Sequence, residues 1–285
     1  MKNLYTVTQV TDGVYNISEN ITDRPIKFSQ QLVVGTQLAA MIDAGFGIDR
    51  DLLKEIRKIT PLPVICLLTH GDPDHTGGAE LFDQVYMNPA DDAVMKAAFD
   101  PRFRLHAIDV ASGHNAELVA HMKAEEPQDT SFSYRPLHDG DRFDLGGTTL
   151  TALALPGHSA GSMVFVDVDR HLGFTGDSLA TLTMSELYDT RCASLTVWAN
   201  GLAKLQHLVG DDAQLYSGHR VDAFPPHVLS TLLQGVADIK AGGDQTDTPI
   251  TQMPTGPVTD SDSMHPRTHQ IAGTPFVIMY NALNI

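Results

Sequence analysis

The sequence predicts an α/β fold, a sandwich of sheets with helices on the outside. The order of the elements is the main reason, because strands, a helix, a strand and a helix occur in the first half of the chain and again in the second. Size and composition agree with it. The 285 residues, 42% of them hydrophobic and 19% charged, supply a substantial core for a single domain spanning residues 1–285.

The first half begins with apolar and polar residues that alternate around turn signals at Asp12-Gly13 and Val34-Gly35. This alternation predicts strands over 13–18, 30–35 and 37–43, joined as antiparallel hairpins. Helical spacing follows over 49–58, then a short apolar strand bounded by prolines over 63–69. A helix over 78–83 and a strand over 84–87 complete this half.

Residues 90–137 form a mainly helical insert, with predicted helices over 91–99 and 115–125, the second capped by Asn115. The strands on either side could pair without this insert, so it is a candidate cap over a site. The second half is predicted to contain strands over 141–145, 148–154, 162–168, 171–175, 213–217 and 274–280, helices over 195–208 and 225–240, and a long loop over 242–264.

Charge and composition exclude several classes of function. The formal net charge of −16 disfavours nucleic-acid partners, because an acidic surface repels phosphates. No run approaches the ~18 apolar residues of a membrane helix, and the first residues lack the apolar core of a signal peptide. With only Cys66 and Cys192 in the chain, a disulfide framework is not expected. A cytoplasmic protein without membrane or nucleic-acid partners is therefore predicted; a homo-oligomer is compatible with the sequence.

The strand over 63–69 ends in the run Thr69-His70-Gly71-Asp72-Pro73-Asp74-His75. Two imidazoles and two carboxylates within six positions are typical of a site for a divalent metal such as zinc, iron or manganese. Three more candidate ligands follow the ends of later strands beside glycines. They are His158 in Pro156-Gly157-His158-Ser159-Ala160-Gly161-Ser162, Asp177 in Phe174-Thr175-Gly176-Asp177-Ser178, and His219 in Tyr216-Ser217-Gly218-His219.

With these four motifs in this order, the chain resembles the metallo-β-lactamase-fold superfamily from Leu32 through His219, including the loop Ile42-Asp43-Ala44-Gly45. The resemblance implies a four-layer αβ/βα sandwich with two divalent metal ions at the strand ends. It further implies that His70, Asp72 and His158 hold the first metal. Asp74, His75 and His219 would hold the second, and Asp177 would bridge both.

The chemistry implied by the resemblance is hydrolysis by a metal-bound hydroxide, with a metal polarising the substrate carbonyl. Asp74 is the predicted catalytic residue, because it would also accept a hydrogen bond from the attacking water. The leading hypothesis is a metallo-hydrolase acting on a small ester, thioester, lactone or amide.

The chain departs from the family pattern at Asp72, where the family run His-x-His-x-Asp-His has its second histidine. Flavodiiron proteins of the same superfamily resemble this chain in having a carboxylate there. With three aspartates and a hydroxide, the two divalent ions would form a neutral centre, whereas a histidine would leave one positive charge. Three roles of Asp72 stay open. It could be a metal ligand, a hydrogen-bond acceptor behind the ligands, or a side chain too short to reach the metal.

Two further functions stay open. Asp72 motivates a di-iron redox or oxygen-handling protein with a separate electron donor, and the fold could also serve a non-catalytic binding or sensing protein. Serine catalysis is a weaker alternative: Gly157-His158-Ser159-Ala160-Gly161 matches a nucleophile elbow, and Gly176-Asp177-Ser178-Leu179 matches an esterase block. An elbow must lead into a helix, and a strand is predicted there instead.

Several other residues receive structural interpretations. Asp43 is expected to fix a loop beneath the site. Surface positions are expected for six further histidines, although the first three lie in the insert and could face a substrate: His106, His114, His121, His138, His171 and His227.

Overall fold

Two facing sheets occupy the centre of the computed structural model, which describes residues 4–125, 132–179, 184–243, 246–253 and 256–285. The strands of the first sheet are β1 Tyr5–Thr11, β2 Val14–Glu19, β3 Phe28–Val34, β4 Ala39–Ile42, β5 Val64–Leu67, β6 Val85–Met87 and β7 Arg135–Pro136. The next strands are β8 Arg142–Asp144, β9 Thr149–Ala154, β10 Met163–Asp167, β11 Leu172–Phe174, β12 Met184–Leu187 and β13 Gln214–Tyr216. The last are β14 Thr248–Pro249, β15 Gln252–Met253, β16 Gly256–Pro257, β17 Pro266–Gln270 and β18 Val277–Asn281.

The helices flank these sheets on both outer sides. They are α1 Leu52–Ile59, α2 Pro73–Thr76, α3 Asp92–Ala98, α4 Pro101–Ala111, α5 Ala116–Glu125, α6 Leu195–Val209 and α7 Val228–Lys240. None of the helices in the described ranges combines the length and the apolar character that a membrane-spanning helix requires.

The strands join in an order that brings one set of strand ends together. Over the described residues, the first sheet has the order β1-β2-β3-β4-β5-β6-β7 and the second β13-β11-β10-β9-β8. Strand β11 is parallel to β13 and antiparallel to β10, which is antiparallel to β9, so β9, β11 and β13 run in one direction. Loops at the carboxyl ends of these three strands therefore emerge on one edge of the second sheet.

Three apolar layers hold the sandwich together. The layer between the sheets contains Ile42 and Leu67 of the first sheet and Phe165 and Phe174 of the second. On the outer face of the first sheet, Leu52 and its neighbours on α1 pack against alternate residues of the same strands. Helices α6 and α7 cover the second sheet in the same way. The predicted four-layer αβ/βα sandwich is confirmed.

Local predictions differ from the structure where the local signal is weak. Strand β1 was not predicted, because Tyr5 is its one fully buried residue among the seven and the rest lie on an exposed edge. Helix α4 within the insert was also missed. The helix predicted over 78–83 is a single 3₁₀ turn, Ala79–Leu81. Gly77 and Gly78 lie against the carbonyls of Phe46 and Ala44, so the chain follows that loop rather than a continuous helix.

The C-terminal region is more ordered than the sequence indicates. Strands β12, β18, β17 and β14 form a third sheet. Strand β14, together with β15 and β16, lies within 242–264, where a long loop was predicted, whereas β18 overlaps the strand predicted over 274–280. Strand β12 pairs in parallel with β18, whose partner residues lie some ninety positions later in the chain. Both cysteines are buried and free, so the prediction that they form no disulfide is confirmed.

Candidate metal centre

All seven predicted metal ligands lie together at one edge of the sandwich. His70 and the short helix α2 follow β5, and the loops that carry His158, Asp177 and His219 follow β9, β11 and β13. The ligand atoms of three groups each lie within 4.8 Å of one another: His70 with Asp72 and His158, Asp74 with His75 and His219, and His70 with His75 and Asp177. The first two groups are those predicted for the first and second metals.

The first group is organised around one oxygen of Asp72. The Oδ2 atom lies 3.0 Å from His158 Nε2 and 3.5 Å from His70 Nε2. Asp72 therefore reaches into this group, despite its short side chain. Its role as a ligand stays a prediction.

The second group is connected through Asp177. Its Oδ2 atom lies 3.1 Å from His219 Nε2, and its Oδ1 atom lies 3.6 Å from His75 Nε2. Asp74 Oδ2 lies 3.5 Å from His219 Nε2 and 3.6 Å from His75 Nε2. Asp177 thus uses both oxygens toward the imidazoles, and it also belongs to the group that contains His70.

The Nδ1 atoms of all four histidines are engaged away from the centre. His158 Nδ1 donates to Glu186 O at 3.2 Å, His219 Nδ1 to Lys27 O at 2.8 Å, and His75 Nδ1 to Asp43 Oδ2 at 2.8 Å. The Thr69 hydroxyl has one hydrogen, which it donates to Asp43, so it accepts from His70 Nδ1 at 3.0 Å. Each ring therefore turns Nε2 toward the centre, as histidine ligands with an outer hydrogen-bond partner do.

The atoms that face the centre fit a cation. Within the described residues, His70 Nε2, His75 Nε2 and Asp177 Oδ1 are buried and have no hydrogen-bond partner. Buried polar atoms are normally paired, so three such atoms converging on one spot indicate a missing partner. Imidazole nitrogens mixed with carboxylate oxygens suit zinc, iron or manganese. The residues present therefore fit two divalent metal ions.

The charge balance of the site also favours cations. Burial lowers the pKa of His219, yet the Asp177 and Asp74 carboxylates raise it to about 9. The pKa of His75 is raised in the same way, against burial, by Asp43, Asp74 and Asp177. Burial opposes the ionisation of Asp177, and the surrounding histidines nevertheless lower its pKa. Positive charge is thus stabilised at this position, whether carried by protons or by metal ions.

Two glycines are required for the close packing of the site. A Cβ atom at Gly218 would lie 2.5 Å from His75 Cε1, and one at Gly176 would lie 2.2 Å from Thr69 Oγ1. Gly176 also has a φ of +48°, which favours glycine. The strand ends can therefore approach the histidines only because these positions have no side chain.

Arg191 is the main residue of the site that the sequence analysis missed. Its guanidinium donates to both oxygens of Asp72, at 2.6 Å to Oδ1 and 3.1 Å to Oδ2. Its Nη2 atom also lies 3.3 Å from His158 Nε2. No local pattern marks this residue, because it lies 119 positions from Asp72 in the chain.

Asp91 is a second residue without a signal in the sequence. Its buried carboxylate accepts from Gly71 N at 2.9 Å, Gly161 N at 2.7 Å and Ser159 Oγ at 2.6 Å. It thereby ties the loop of His70 to the loop of His158. Because Ser159 is fully buried and the chain continues into β10, the elbow geometry of a serine hydrolase is not formed.

A cavity of about 560 Å³ opens onto the metal-ligand cluster. Five of the predicted ligands line it: Asp72, Asp74, His158, Asp177 and His219. An apolar wall comes from α4 and from the segments around β3 and β4: Ile26, Phe28, Phe46, Phe103, Ala107, Val110 and Ala111. The two parts adjoin, because the rings of Phe28 and His219 lie edge to face with centroids 5.2 Å apart. Further polar lining comes from Glu186, Tyr188, Asp189 and Arg191.

Helix α4 is fixed over this cavity by Arg104. The buried guanidinium donates to Phe46 O at 2.6 Å, Gly77 O at 3.0 Å and Gly47 O at 3.2 Å. His106 on the same helix is exposed and also lines the cavity, so it faces both solvent and the site. His114, His138, His171 and His227 are exposed, and His121 is half-buried, which corrects its surface assignment. Residues 126–131 of the predicted insert and residues 180–183 lie outside the described residues.

Comparisons with known proteins agree with this geometry. A family model described as the metallo-beta-lactamase superfamily matches residues 30–219. Acyl-coenzyme A thioesterase MBLAC2 of Homo sapiens is 27% identical over 201 residues, which cover 61% of this chain and 66% of that protein. Lactamase-like protein notP of an Aspergillus species is 30% identical over 210 residues, covering 70% of this chain and 53% of that protein. The match thus spans just under two thirds of the MBLAC2 relative and about half of notP.

Solved structures show the same fold. A metallo-beta-lactamase from Pontibacter korlensis aligns with a TM-score of 0.58 at 18% identity, covering 82% of this chain and 99% of that structure. The metallo-beta-lactamase family protein TTHA1429 from Thermus thermophilus aligns with a TM-score of 0.55 at 21% identity, covering 83% of this chain and 81% of that structure.

Proposed function

The chain belongs to the metallo-beta-lactamase superfamily, and we propose that it is a metal-dependent hydrolase that cleaves a thioester carrying an apolar acyl group. The observation that supports this best is the cavity, in which the ligand cluster and an apolar wall line the same space. A relative named as an acyl-coenzyme A thioesterase supports the thioester. Esters, lactones and small amides need the same chemistry and are the alternatives within this class.

The apolar wall binds the acyl group and places its carbonyl over the ligand cluster. Burying each methylene against Phe28, Phe46 and α4 contributes about 0.8 kcal/mol to binding. When bound, the metal ions would lower the pKa of a water molecule and polarise the substrate carbonyl. Asp74 lines the cavity and would accept a hydrogen bond from the attacking water, which orients it toward the carbonyl carbon.

A thioester suits this arrangement because a thiolate is a good leaving group. Free thiols have a pKa near 8.5, so the departing sulfur needs little assistance from a proton donor. The cap helix α4 limits the access of bulk water to the acyl chain. In this proposal, the chain's own residues bind, orient and shield the substrate.

The test compares substrates on the metal-loaded protein. We expect thiol release from acyl thioesters, measured with a chromogenic disulfide reagent, to exceed turnover of matched esters and lactones. Metal removal by a chelator should abolish turnover, and added zinc, iron(II) or manganese should restore it. Asp74→Asn should lose activity, whereas Ser178→Ala should retain it. Full activity in metal-free protein, or no turnover of any acyl substrate by metal-loaded protein, would contradict the proposal.

Each alternative function has a separate test. A di-iron redox protein would contain iron, absorb visible light and turn over only with a reductant. A binding or sensing protein would bind metal but hydrolyse none of the substrates. The metal identity, among zinc, iron and manganese, stays a prediction.

A further inference from the structure

Asp72 and Arg191 form a pair at the position where the chain departs from its family's metal-binding run. Arg191 Nη1 lies 2.6 Å from Asp72 Oδ1, and Nη2 lies 3.1 Å from Oδ2. Two parallel hydrogen bonds of this kind are the strongest geometry for an arginine and a carboxylate. The Asp72 side chain is 14% exposed and the Arg191 side chain 38%, so the pair is partly shielded from solvent.

The backbone around Arg191 is attached to the loop that carries His158. Ala193 N donates to Gly157 O at 2.8 Å, and Cys192 Sγ donates to His158 O at 3.3 Å. Arg191 N donates to Asp189 Oδ1 at 3.1 Å, which fixes the preceding turn. The guanidinium is therefore held beside the first ligand group by the same loop contacts that hold His158.

The charges of the site show what this pair does. Two divalent ions bring four positive charges, and Asp72, Asp74 and Asp177 remove three of them. With a histidine at position 72, the ligands would remove only two of the four charges. The sequence alone therefore predicts a less positive metal centre for this chain than for one with that histidine. Arg191 adds one positive charge at hydrogen-bond distance from Asp72, and a count of the metal ligands alone leaves this charge out.

We propose that Arg191 is the fixed counter-charge of Asp72, so that the pair has the net charge of the neutral histidine found at this position in the family run. Asp72 Oδ2 faces His70 and His158, while Oδ1 makes the shorter contact with Arg191. Arg191 is thus a positioning residue for Asp72 and sets the affinity of the first metal site through its charge. The proposal concerns metal binding and does not depend on the substrate.

This role predicts effects of opposite sign for the two residues. Arg191→Met removes a cation next to the first site, so Zn²⁺ should bind there more tightly, by roughly tenfold. Asp72→His removes an anion and leaves Arg191 beside the metal with only its longer contact to Asp189, at 3.9 Å, so Zn²⁺ should bind there more weakly, by roughly tenfold or more. The double variant Asp72→His/Arg191→Met has the same net charge as the original pair. Its Zn²⁺ affinity should therefore recover to within about threefold of the original.

The experiment titrates purified, metal-depleted full-length protein with Zn²⁺ in competition with a chromophoric chelator. It yields a stoichiometry and two dissociation constants for the original protein and each variant. Absorption spectra of the Co²⁺-loaded proteins show separately whether the residue at position 72 is a ligand. Lys204→Met is the matched control, since it removes one cation from the surface pair with Asp139, away from the centre.

The double variant makes the test decisive. If Arg191 only braced the loop, Arg191→Met would weaken Zn²⁺ binding, and its combination with Asp72→His would be weaker still. Either result overturns the proposal, as does unchanged binding in all three variants. Circular dichroism and a denaturation midpoint confirm folding; should Arg191→Met fail to fold, Arg191→Gln is titrated in its place. Failure of the thioesterase proposal would appear in turnover assays and leaves these constants unaffected.

Discussion

Groups outside the metal centre orient its four histidines. Among these groups, Asp43 accepts the most hydrogen bonds from the residues around the ligands. This residue has a φ of +62°, is buried, and accepts from Thr69 N at 2.8 Å, Thr69 Oγ1 and His75 Nδ1. The hydrogen on His75 Nδ1 leaves Nε2 with a lone pair that faces the cluster. Outer partners of this kind affect metal affinity although they touch no metal.

At the residue scale, Asp43→Asn should impair the second metal site while the protein stays folded. An asparagine amide can donate to His75 Nδ1, and the ring then carries its hydrogen on Nε2, where the metal would bind. We expect the Zn²⁺ affinity of one site to fall by about 10- to 100-fold. Competition with a chelator measures this, and Asp139→Asn, at the surface, is the control. Equal affinity in Asp43→Asn and the original protein would show that Asp43 does not set the ring's orientation.

At the scale of elements, Asp211 connects the end of α6 to the start of α7. Its carboxylate accepts from Ser230 N at 3.0 Å, Ser230 Oγ at 2.7 Å, Gln206 Nε2 at 2.8 Å and His227 Nδ1 at 2.9 Å. Burial raises its pKa, but the hydrogen bonds from Ser230, Gln206 and His227 lower it to about 2. The ionised carboxylate therefore stabilises the fold above pH 4, and this contribution is lost as the pH falls toward 2.

Asp211→Ala should lower the free energy of unfolding by about 1–2 kcal/mol at pH 7, the range for losing a helix cap. Urea denaturation followed by circular dichroism measures this. The neighbouring exposed Asp212→Ala should change stability by less than about 0.5 kcal/mol. A loss in Asp212→Ala as large as in Asp211→Ala would show that general surface charge, and not this cap, accounts for the effect.

If the proposed function is correct, helix α4 should set the length of the acyl chain that the hydrolase accepts. Ala107 lines the cavity, so Ala107→Trp should fill part of it and shift the preferred thioester toward shorter chains. We expect kcat/KM for the longest substrates to fall by about tenfold or more, with short-chain substrates changed by less than about threefold. Arg102→Trp, on the same helix with a 93% exposed side chain, is the control. An equal loss for all chain lengths would contradict this assignment of the wall.

At the scale of the whole molecule, Glu19 makes stability depend on pH. Burial raises its pKa from 4.5 to about 8, although hydrogen bonding from the Phe46 amide lowers it in part. Between these values the folded protein keeps a proton that the unfolded chain has lost. The free energy of unfolding should therefore fall as the pH rises from about 5 to about 8.

Glu19→Gln should remove this decline, since glutamine cannot ionise and its oxygen can still accept from Phe46 N. Relative to the original protein, the variant should gain up to about 1.4 kcal/mol per pH unit across that window. Chemical denaturation of metal-loaded protein at several pH values measures the difference between the two curves. Glu117→Gln, an exposed change of equal charge, is the control. Parallel curves for Glu19→Gln and the original protein would mean that Glu19 is ionised in the folded state.

Much of the architecture could be predicted because it depends on local patterns. Alternating residues mark β9 and β10, and the apolar run before His70 marks β5, since buried strands need apolar side chains whatever they pack against. Strands β1, β12 and β17 could not be predicted in this way. Strand β1 is exposed on an edge, and β12 pairs with β18 some ninety positions later in the chain. Strand β17 has the sequence Pro-Arg-Thr-His-Gln, which contains neither an apolar run nor an alternation.

The sequence by itself determined the fold family and the residues that gather at the strand ends, because each motif directly follows a buried strand and needs no distant partner to be seen. Only the tertiary structure decided which atom of each histidine faces the centre, that α4 forms the apolar wall, and that Arg191 pairs with Asp72. Most of these depend on contacts between separate parts of the chain, such as His219 with Lys27 across 192 positions and Arg191 with Asp72 across 119. Contacts at that separation leave no periodic trace in the sequence, since they arise only when the sheets have packed.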